Sequence, residues 1–404
     1  MEHFLGKKSE NTDTRLWQEI VIVCLAVIIC GNLMTGIQGF LVKGGGTPDD
    51  FTMRYRESKY VVSGINPFDV VTGIREKTEI GSLWDVAGYT PWGMAYGIFI
   101  NFTFLPETYA RILFCIVYLC MMSGTAFFVY RMTGRYYDNK MSTIFALLVL
   151  SIPGWGTGLD WLNFGALFGA AIFMAVIIMD KYPLAAGILF GLAAAKPQLA
   201  MPFYLGLCFK KKYKVLTTAV ALPAGAWVIC LILTGTLPWE MLIQQQEIMK
   251  TVGRQLGNWA SSLSTYYNNI NFTTGKPYFV GMFGCIILAV YVWHIMKKNG
   301  IEDNESYFSV AAVFSGMWTY SQAHDRTVLM IVIAALAFYI KDQQVFPKKL
   351  MVLFFVSLIA DTYKMGCLWS YFSASGTTPS LVLDLVKYII WVTCLFFLAE
   401  RRNL

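Results

Sequence analysis

An all-α polytopic membrane bundle is the fold class this sequence predicts, and three observations carry it. Of 404 residues, 56% are hydrophobic and only 14% charged, with a mean hydropathy of +0.53, whereas an ordinary soluble domain is roughly 25% charged. Apolar runs recur from Trp17 to Phe397, many of them about 20 residues long, the length that crosses a hydrocarbon layer of roughly 30 Å. The basic residues fall between these runs in short clusters: Lys7, Lys8 and Arg15; Arg131, Arg135 and Lys140; Lys181; Lys210, Lys211, Lys212 and Lys214; Lys297 and Lys298; Lys341, Lys348 and Lys349; Arg401 and Arg402. These are 18 of the 32 Lys and Arg, a distribution typical of loops kept on the cytoplasmic face. A net charge of +7 spread in this way forms no nucleic-acid groove, so no nucleic-acid partner is expected. The period-two alternation of an outer-membrane barrel is absent.

The elements follow in order. The first run, about Trp17 to Leu41, is too long for a signal-peptide core and is expected to stay as an anchor. From Val42 to about Tyr89 the apolar rhythm stops, and six basic residues nearly balance seven acidic ones. A second interruption runs from about Pro238 to Pro277. Both stretches hold Trp, Tyr, Asn and mixed charge rather than a low-complexity linker, so each reads as a folded loop. One integral-membrane domain over 1–404 is expected, with residues 42–106 as a first external loop containing interfacial helices and 238–277 as a second. Thr90 to Leu105 is short, and a crossing there would carry Arg131, Arg135 and Lys140 outside. The charge rule therefore predicts a helix lying in the interface or re-entering.

Further spans are predicted at about 107–130, 141–155, 163–180, 215–237, 278–296, 306–322, 327–340, 350–369 and 381–400. The run from Pro183 to Phe209 is treated differently, because one straight helix would put Lys210 to Lys214 outside. Proline removes a hydrogen-bond donor and disfavours helix at the residue before it, so a break is predicted at Lys196-Pro197. Each half is then about 13 residues, roughly 20 Å of helix and too short to cross. A hairpin of half-length helices results, with Lys196 near its outward tip. Counting its arms gives about twelve helices with both termini cytoplasmic, in a multi-pass protein of the cell (inner) membrane. The nine cysteines lie in or beside apolar segments without CxxC spacing and behave as small hydrophobes.

This topology brings Asp49, Asp50, Asp160, Asn163, Lys196, Gln198, Asn258, His324, Asp325 and Arg326 towards the outer boundary. Ionisable groups at membrane depth are costly, and they usually face a cavity. In Gly44-Gly45-Gly46-Thr47-Pro48-Asp49-Asp50, Thr47 can cap a helix with Pro48 at its first position and Asp50 three residues on. Equally, a carboxylate at that junction is placed to act as a general base. The spacing leaves both readings open, and they are compatible. Lys196 lies in LAAAKPQLAMP; it reads either as a snorkelling lysine or, beside Gln198, as an anion-binding cation. His324-Asp325-Arg326 is either a polar turn between spans or a source of charge for a phosphate, which Arg holds bidentately. Arg54 and Arg56 are further phosphate candidates or solvated helix residues. Tyr267 and its neighbours, with Asn258 and Ser261, suit sugar binding or an interfacial aromatic belt. Three histidines, no HExxH and no Asp-x-Asp make metal chemistry unexpected. No metal ligand and no cofactor is predicted.

DDFTMRYRESKYVVSGINPF, from Asp49 to Phe68, resembles the first-loop signature of glycosyltransferase family 87: Asp-Phe, then Tyr, then Gly-x-Asn-Pro-Tyr/Phe. Tyr89-Thr90-Pro91 stands for the family's Tyr-Pro-Pro and Lys196-Pro197-Gln198 for its Lys-Pro-Gln. Asn258-x-x-Ser261 lies near its Asn-x-Ser, and His324-Asp325 near its late histidine. The order and spacing fit over nearly the whole chain, with two departures: Asn163 stands where a Gly-Gln pair is common, and Thr90 replaces a proline. The resemblance implies a GT-C-like bundle and a glycosyltransferase that uses a polyprenyl-phosphate sugar as donor substrate. The expected sugar is mannose or a related hexose or pentose. By resemblance Asp50 is the catalytic base, with Asp49 the second choice. Donor binding falls to Lys196, Arg326, His324, Gln198 and Arg54. Substrate contacts are expected from Asp49, Tyr55, Asn66, Tyr89, Asp160, Asn163, Asn258, Ser261 and Tyr267. The expected partners are the lipid-linked donor, a glycolipid or glycan acceptor and membrane lipid. A flippase of lipid-linked sugars and an O-antigen-type polymerase or ligase are the alternative functions.

Overall fold

The computed structural model describes residues 12–43, 49–71, 90–237, 239–245, 279–318, 321–341, 348–360 and 378–400. Among these residues every regular element is helical. The order is α1 (Thr12–Lys43), α2 (Asp50–Val62), α3 (Pro67–Val71), α4 (Pro91–Ile100), α5 (Glu107–Thr133), α6 (Asn139–Leu150), α7 (Gly154–Asp160), α8 (Gly165–Ile178), α9 (Pro183–Ala193), α10 (Pro197–Phe209) and α11 (Tyr213–Thr234). A short α12 (239–245) follows. Then come α13 (Phe279–Lys298), α14 (Asn304–Ser315), a 3-10 segment (Ala323–Leu329), α15 (Met330–Lys341), α16 (Lys348–Ile359) and α17 (Thr378–Ala399).

Three stretches are long and apolar enough to cross a membrane: Leu16–Leu41, Glu107–Thr133 and Tyr213–Thr234. Their apolar faces are exposed. Val27, Met34 and Leu41 on α1, Ile116 and Phe127 on α5, and Val228 and Ile232 on α11 point outward. So many large apolar side chains on the outside of isolated helices are stable only against hydrocarbon. A fourth crossing is available if α6 and α7 act as one span, bent by 41° at Ser151–Pro153. The expected count of about twelve crossing helices is not confirmed. Several of the anticipated spans form helices of 12 to 14 residues, such as α8 and α14, about 20 Å long and short of the hydrocarbon thickness.

α8 is buried on nearly every face and sits at the centre, as expected of a helix with no polar stripe. The 3-10 segment, α9 and α5 pack around it, and α15 adds a buried apolar run from Met330 to Ala337. The predicted break at Lys196-Pro197 is present: α9 ends at Ala193, and Lys196 is the N-cap of α10 with Pro197 at its first position. α4 starts where Thr90 accepts the Gly93 amide at 3.2 Å and packs beneath α2 and α11. Most of its residues are buried, so it is a packed helix rather than a surface one.

The start of α2 corrects the expected cap. Asp49, not Thr47, is the N-cap, and its Oδ1 accepts the Thr52 amide at 2.8 Å. Asp50 is therefore the first helical residue rather than the third after the cap. The adjacent Phe51, fully buried, ties α2 into an aromatic column. Its ring lies 5.2 Å from Phe114, which lies 4.5 Å from Phe164. Phe114 also meets Tyr118, whose hydroxyl donates to the Trp155 carbonyl at 2.8 Å.

Candidate active site

Four elements converge on Asp50. The α7–α8 link does most of the positioning. α7 closes with the Asn163 amide donating to the Gly158 carbonyl at 2.7 Å and the Leu162 amide to the Leu159 carbonyl at 3.3 Å, the paired bonds of a Schellman stop. Leu162 takes the left-handed position at φ +46°, where glycine is usual. Its side chain is fully buried, and that burial offsets a backbone cost of about 1–2 kcal/mol. The same turn sends the Asn163 side chain inward and docks α2, because the Asp50 amide donates to the Trp161 carbonyl at 3.2 Å.

Asn163 is 2% exposed, and three hydrogen bonds engage its carboxamide. The NH2 group donates to Asp50 Oδ2. The oxygen accepts from the Gly165 amide at 2.7 Å and from Lys196 Nζ at 2.8 Å. Lys196 also donates to Asp325 Oδ1 at 2.8 Å, a pair whose side chains are 6% and 3% exposed. Asp325 is held in turn by the capping box of the 3-10 segment, where its Oδ2 accepts the Gln322 amide at 3.1 Å. His324, 2% exposed, places Nε2 3.6 Å from Asp325 Oδ1. Neither ring nitrogen has a hydrogen-bond partner among the described residues. A continuous polar line thus runs Asp50, Asn163, Lys196, Asp325, with His324 at its end.

Gly165 lets the 3-10 segment approach α8 this closely. A Cβ added there would lie 2.3 Å from Asp325 Oδ1, 2.5 Å from His324 Cδ2 and 3.0 Å from Lys196 Nζ. Arg54, one turn after Asp50 on α2, is 7% exposed and sits 5.4 Å over the Phe164 ring. Its charge is within electrostatic reach of Lys196 and His324.

The two adjacent aspartates are separated by their surroundings. Asp49 is fully buried, and its Oδ2 lies 2.6 Å from Arg111 Nη1. The same nitrogen donates to Thr52 Oγ1 at 2.9 Å, and Thr52 donates to Glu107 at 2.8 Å. Burial pushes the Asp49 carboxyl above the usual carboxylate range, and the Thr52 amide and the Arg111 charge only partly offset it. Asp49 is thus a cap and an ion-pair partner. Asp50 is the half-buried member, with one oxygen on Asn163.

The other expected site residues are dispersed. Arg326 does not join Lys196; its Nη2 lies 3.2 Å from Asp384 Oδ1 on α17. Tyr55 donates its hydroxyl to the Leu105 carbonyl at 2.5 Å. Asn66 links α3 to α12, donating to Asp69 at 3.2 Å and Gln244 at 2.8 Å. Asp160 lies against α1 at Gly39. Gln198 contributes its backbone carbonyl to Trp318 Nε1 at 2.7 Å. Tyr89, Asn258, Ser261 and Tyr267 lie outside the described residues. No group of three metal-ligating side chains occurs among the described residues.

Sequence reasoning missed Asp325 as the partner of Lys196, and Arg111 as the partner of Asp49. A lone arginine inside the apolar run from Glu107 was the available signal, since ionisable groups in such runs rarely lack a partner. No curated protein and no solved structure matches the chain. The model of glycosyltransferase family 87 matches residues 89–340. That range holds Asn163, which bonds the Asp50 carboxylate, and Lys196, Asp325 and His324 behind it. It covers well over half of the sequence, and this chain, with its exposed apolar helices, belongs to glycosyltransferase family 87.

Proposed function

We propose that this membrane glycosyltransferase moves a single sugar, mannose or a related hexose or pentose, from a polyprenyl-phosphate donor. The acceptor is a hydroxyl of a lipid-linked or exported glycan, and the anomeric centre is inverted. The site faces the extracytoplasmic side of the cell membrane, and both termini lie in the cytoplasm. The observation that carries this reading is the placement of a half-buried carboxylate one carboxamide away from a buried lysine.

Asp50 takes the acceptor proton while the acceptor oxygen forms its bond to the anomeric carbon. On the opposite face the bond between that carbon and the phosphate oxygen breaks. The departing lipid monophosphate carries the negative charge. Lys196 and Arg54 stabilise it electrostatically in a site from which water is largely excluded. Arg326 is engaged by Asp384 and is assigned no phosphate contact. A monophosphate can be met by these cations alone, without a metal.

Donor chemistry tests the proposal. Purified protein in nanodiscs, given a native lipid extract, is expected to transfer label from polyprenyl-phosphate mannose, or from the glucose or arabinose analogue. It is expected to leave nucleotide sugars and polyprenyl-diphosphate sugars unused. Transfer from a nucleotide or diphosphate donor with none from the monophosphates would overturn it.

A further inference from the structure

We infer that Asn163 is a positioning residue that fixes the orientation of Asp50, rather than a substrate contact. The inference rests on the reading of Asp50 as the base. It follows from how completely the Asn163 carboxamide is committed. An amide has one side that only donates and one that only accepts. Here the accepting side faces two donors, the Gly165 amide and Lys196 Nζ, at 2.7 and 2.8 Å. A flipped amide would turn N–H groups against both, so the orientation is determined by the neighbours. The donating side is then obliged to face Asp50 Oδ2. At 2% exposure the side chain has no free face to offer a sugar.

Two consequences follow for the reaction. One carboxylate oxygen of Asp50 is occupied, which leaves the other as the single oxygen presented to an acceptor hydroxyl. Because the same amide oxygen is held by Lys196, the base and the cation share a single rigid spacer. Their separation is set by one side chain on the α7–α8 link, independently of the loop that precedes Asp50.

Two substitutions separate positioning from simple packing. Asn163→Asp is nearly isosteric and retains acceptors for Gly165 and Lys196, but it cannot donate to Asp50 when ionised and places a like charge beside it. Asn163→Ala removes the donor without adding charge. Infrared spectroscopy in nanodiscs, with the Asp50→Asn protein identifying the band, reports the hydrogen bonding of the Asp50 carboxylate and needs no substrate. Loss of the donor is expected to shift the Asp50 carboxylate band in Asn163→Ala and in Asn163→Asp alike. In the transfer assay both variants are expected to lower kcat by about tenfold or more, with a change in donor KM beside it because Asn163 also holds Lys196.

A packing role alone predicts a lower melting temperature in Asn163→Ala with the Asp50 carboxylate band unmoved. An unmoved Asp50 band in Asn163→Ala would overturn the inference. Full transfer activity in Asp50→Asn would instead overturn the assignment of the base, so the two failures are distinguishable.

Discussion

Lys196 and Asp325 show how much of the site depends on single side chains. Both are almost completely buried and joined at 2.8 Å, so removing either leaves an uncompensated charge at a cost of about 3–5 kcal/mol. Lys196→Ala is therefore expected to weaken the fold as well as donor use. The double variant Lys196→Met with Asp325→Asn should recover most of the stability and none of the donor affinity. Thermal unfolding and donor KM measured side by side check this; a double variant no more stable than the single would contradict it. Gly165→Ala tests the approach of α8 to the 3-10 segment. With Asp325 and His324 inside 2.6 Å of the new methyl, overpacking should cost about 1–3 kcal/mol. An unchanged melting temperature would mean the segments are not so close. The sequence disclosed the reactive residue types here, but not the pairs. Asp50, Lys196 and His324 stand out as polar residues at the edges of apolar runs, whereas their partners depend on contacts across 33 to 129 residues, which no local spacing encodes.

Helix ends were legible where the signal is local and were missed where it is not. The break at Lys196-Pro197 follows from proline chemistry and appears at the expected residue. Spacing points to Thr47 as the cap, whereas the N-cap of α2 is Asp49, whose carboxylate also reaches Arg111 on α5; Thr47 itself lies outside the described residues. Left-handed stops at Gly64, Gly235 and Gly300 carry the usual glycine marker, whereas those at Phe102, Leu162 and Lys211 do not. Lys211 is the exposed one, with φ +58° and its amide on the Cys208 carbonyl at 3.1 Å. Lys211→Gly is expected to stabilise the protein by roughly 0.5–1 kcal/mol through relief of that backbone strain. A lower melting temperature would contradict it.

The neighbouring Lys210 clasps this turn to the start of α14, donating to the Glu302 carbonyl at 2.6 Å and to Asn304 Oδ1 at 2.5 Å. Burial, with the nearby Lys212 charge, lowers its pKa from 10.5 to about 8. The folded state then binds fewer protons than the unfolded chain between those values, so stability should rise as pH increases through that window. Lys210→Met should flatten this slope in pH-dependent thermal unfolding; an equally steep slope would assign it to another group.

At the scale of the whole molecule, the class was legible from composition and the crossing count was not. Apolar content reports what is buried from water, but it does not separate helices buried in protein from helices facing lipid. α8 and α1 are both strongly apolar, yet α8 is enclosed while only 11% of the most apolar window of α1 is buried. The lipid-facing assignment makes its own prediction. Val27 on α1 is 66% exposed, so on a soluble protein Val27→Asp would be nearly neutral. In a membrane-spanning helix it should reduce insertion by about 2.5–3.5 kcal/mol, measurable by glycosylation mapping of α1 in microsomes. Unchanged insertion would place α1 outside the bilayer.

The account depends most on Asp50 as the group that takes the acceptor proton, and one comparison addresses it directly. Wild type and Asp50→Asn, purified in nanodiscs, are each given radiolabelled polyprenyl-phosphate sugar and native lipid extract, and single-turnover transfer is followed. A general base contributes about 10²–10⁴ in rate, so Asp50→Asn is predicted to slow transfer by at least a hundredfold while retaining donor binding and the wild-type melting profile. Equal rates in the two proteins would contradict the mechanism at its centre.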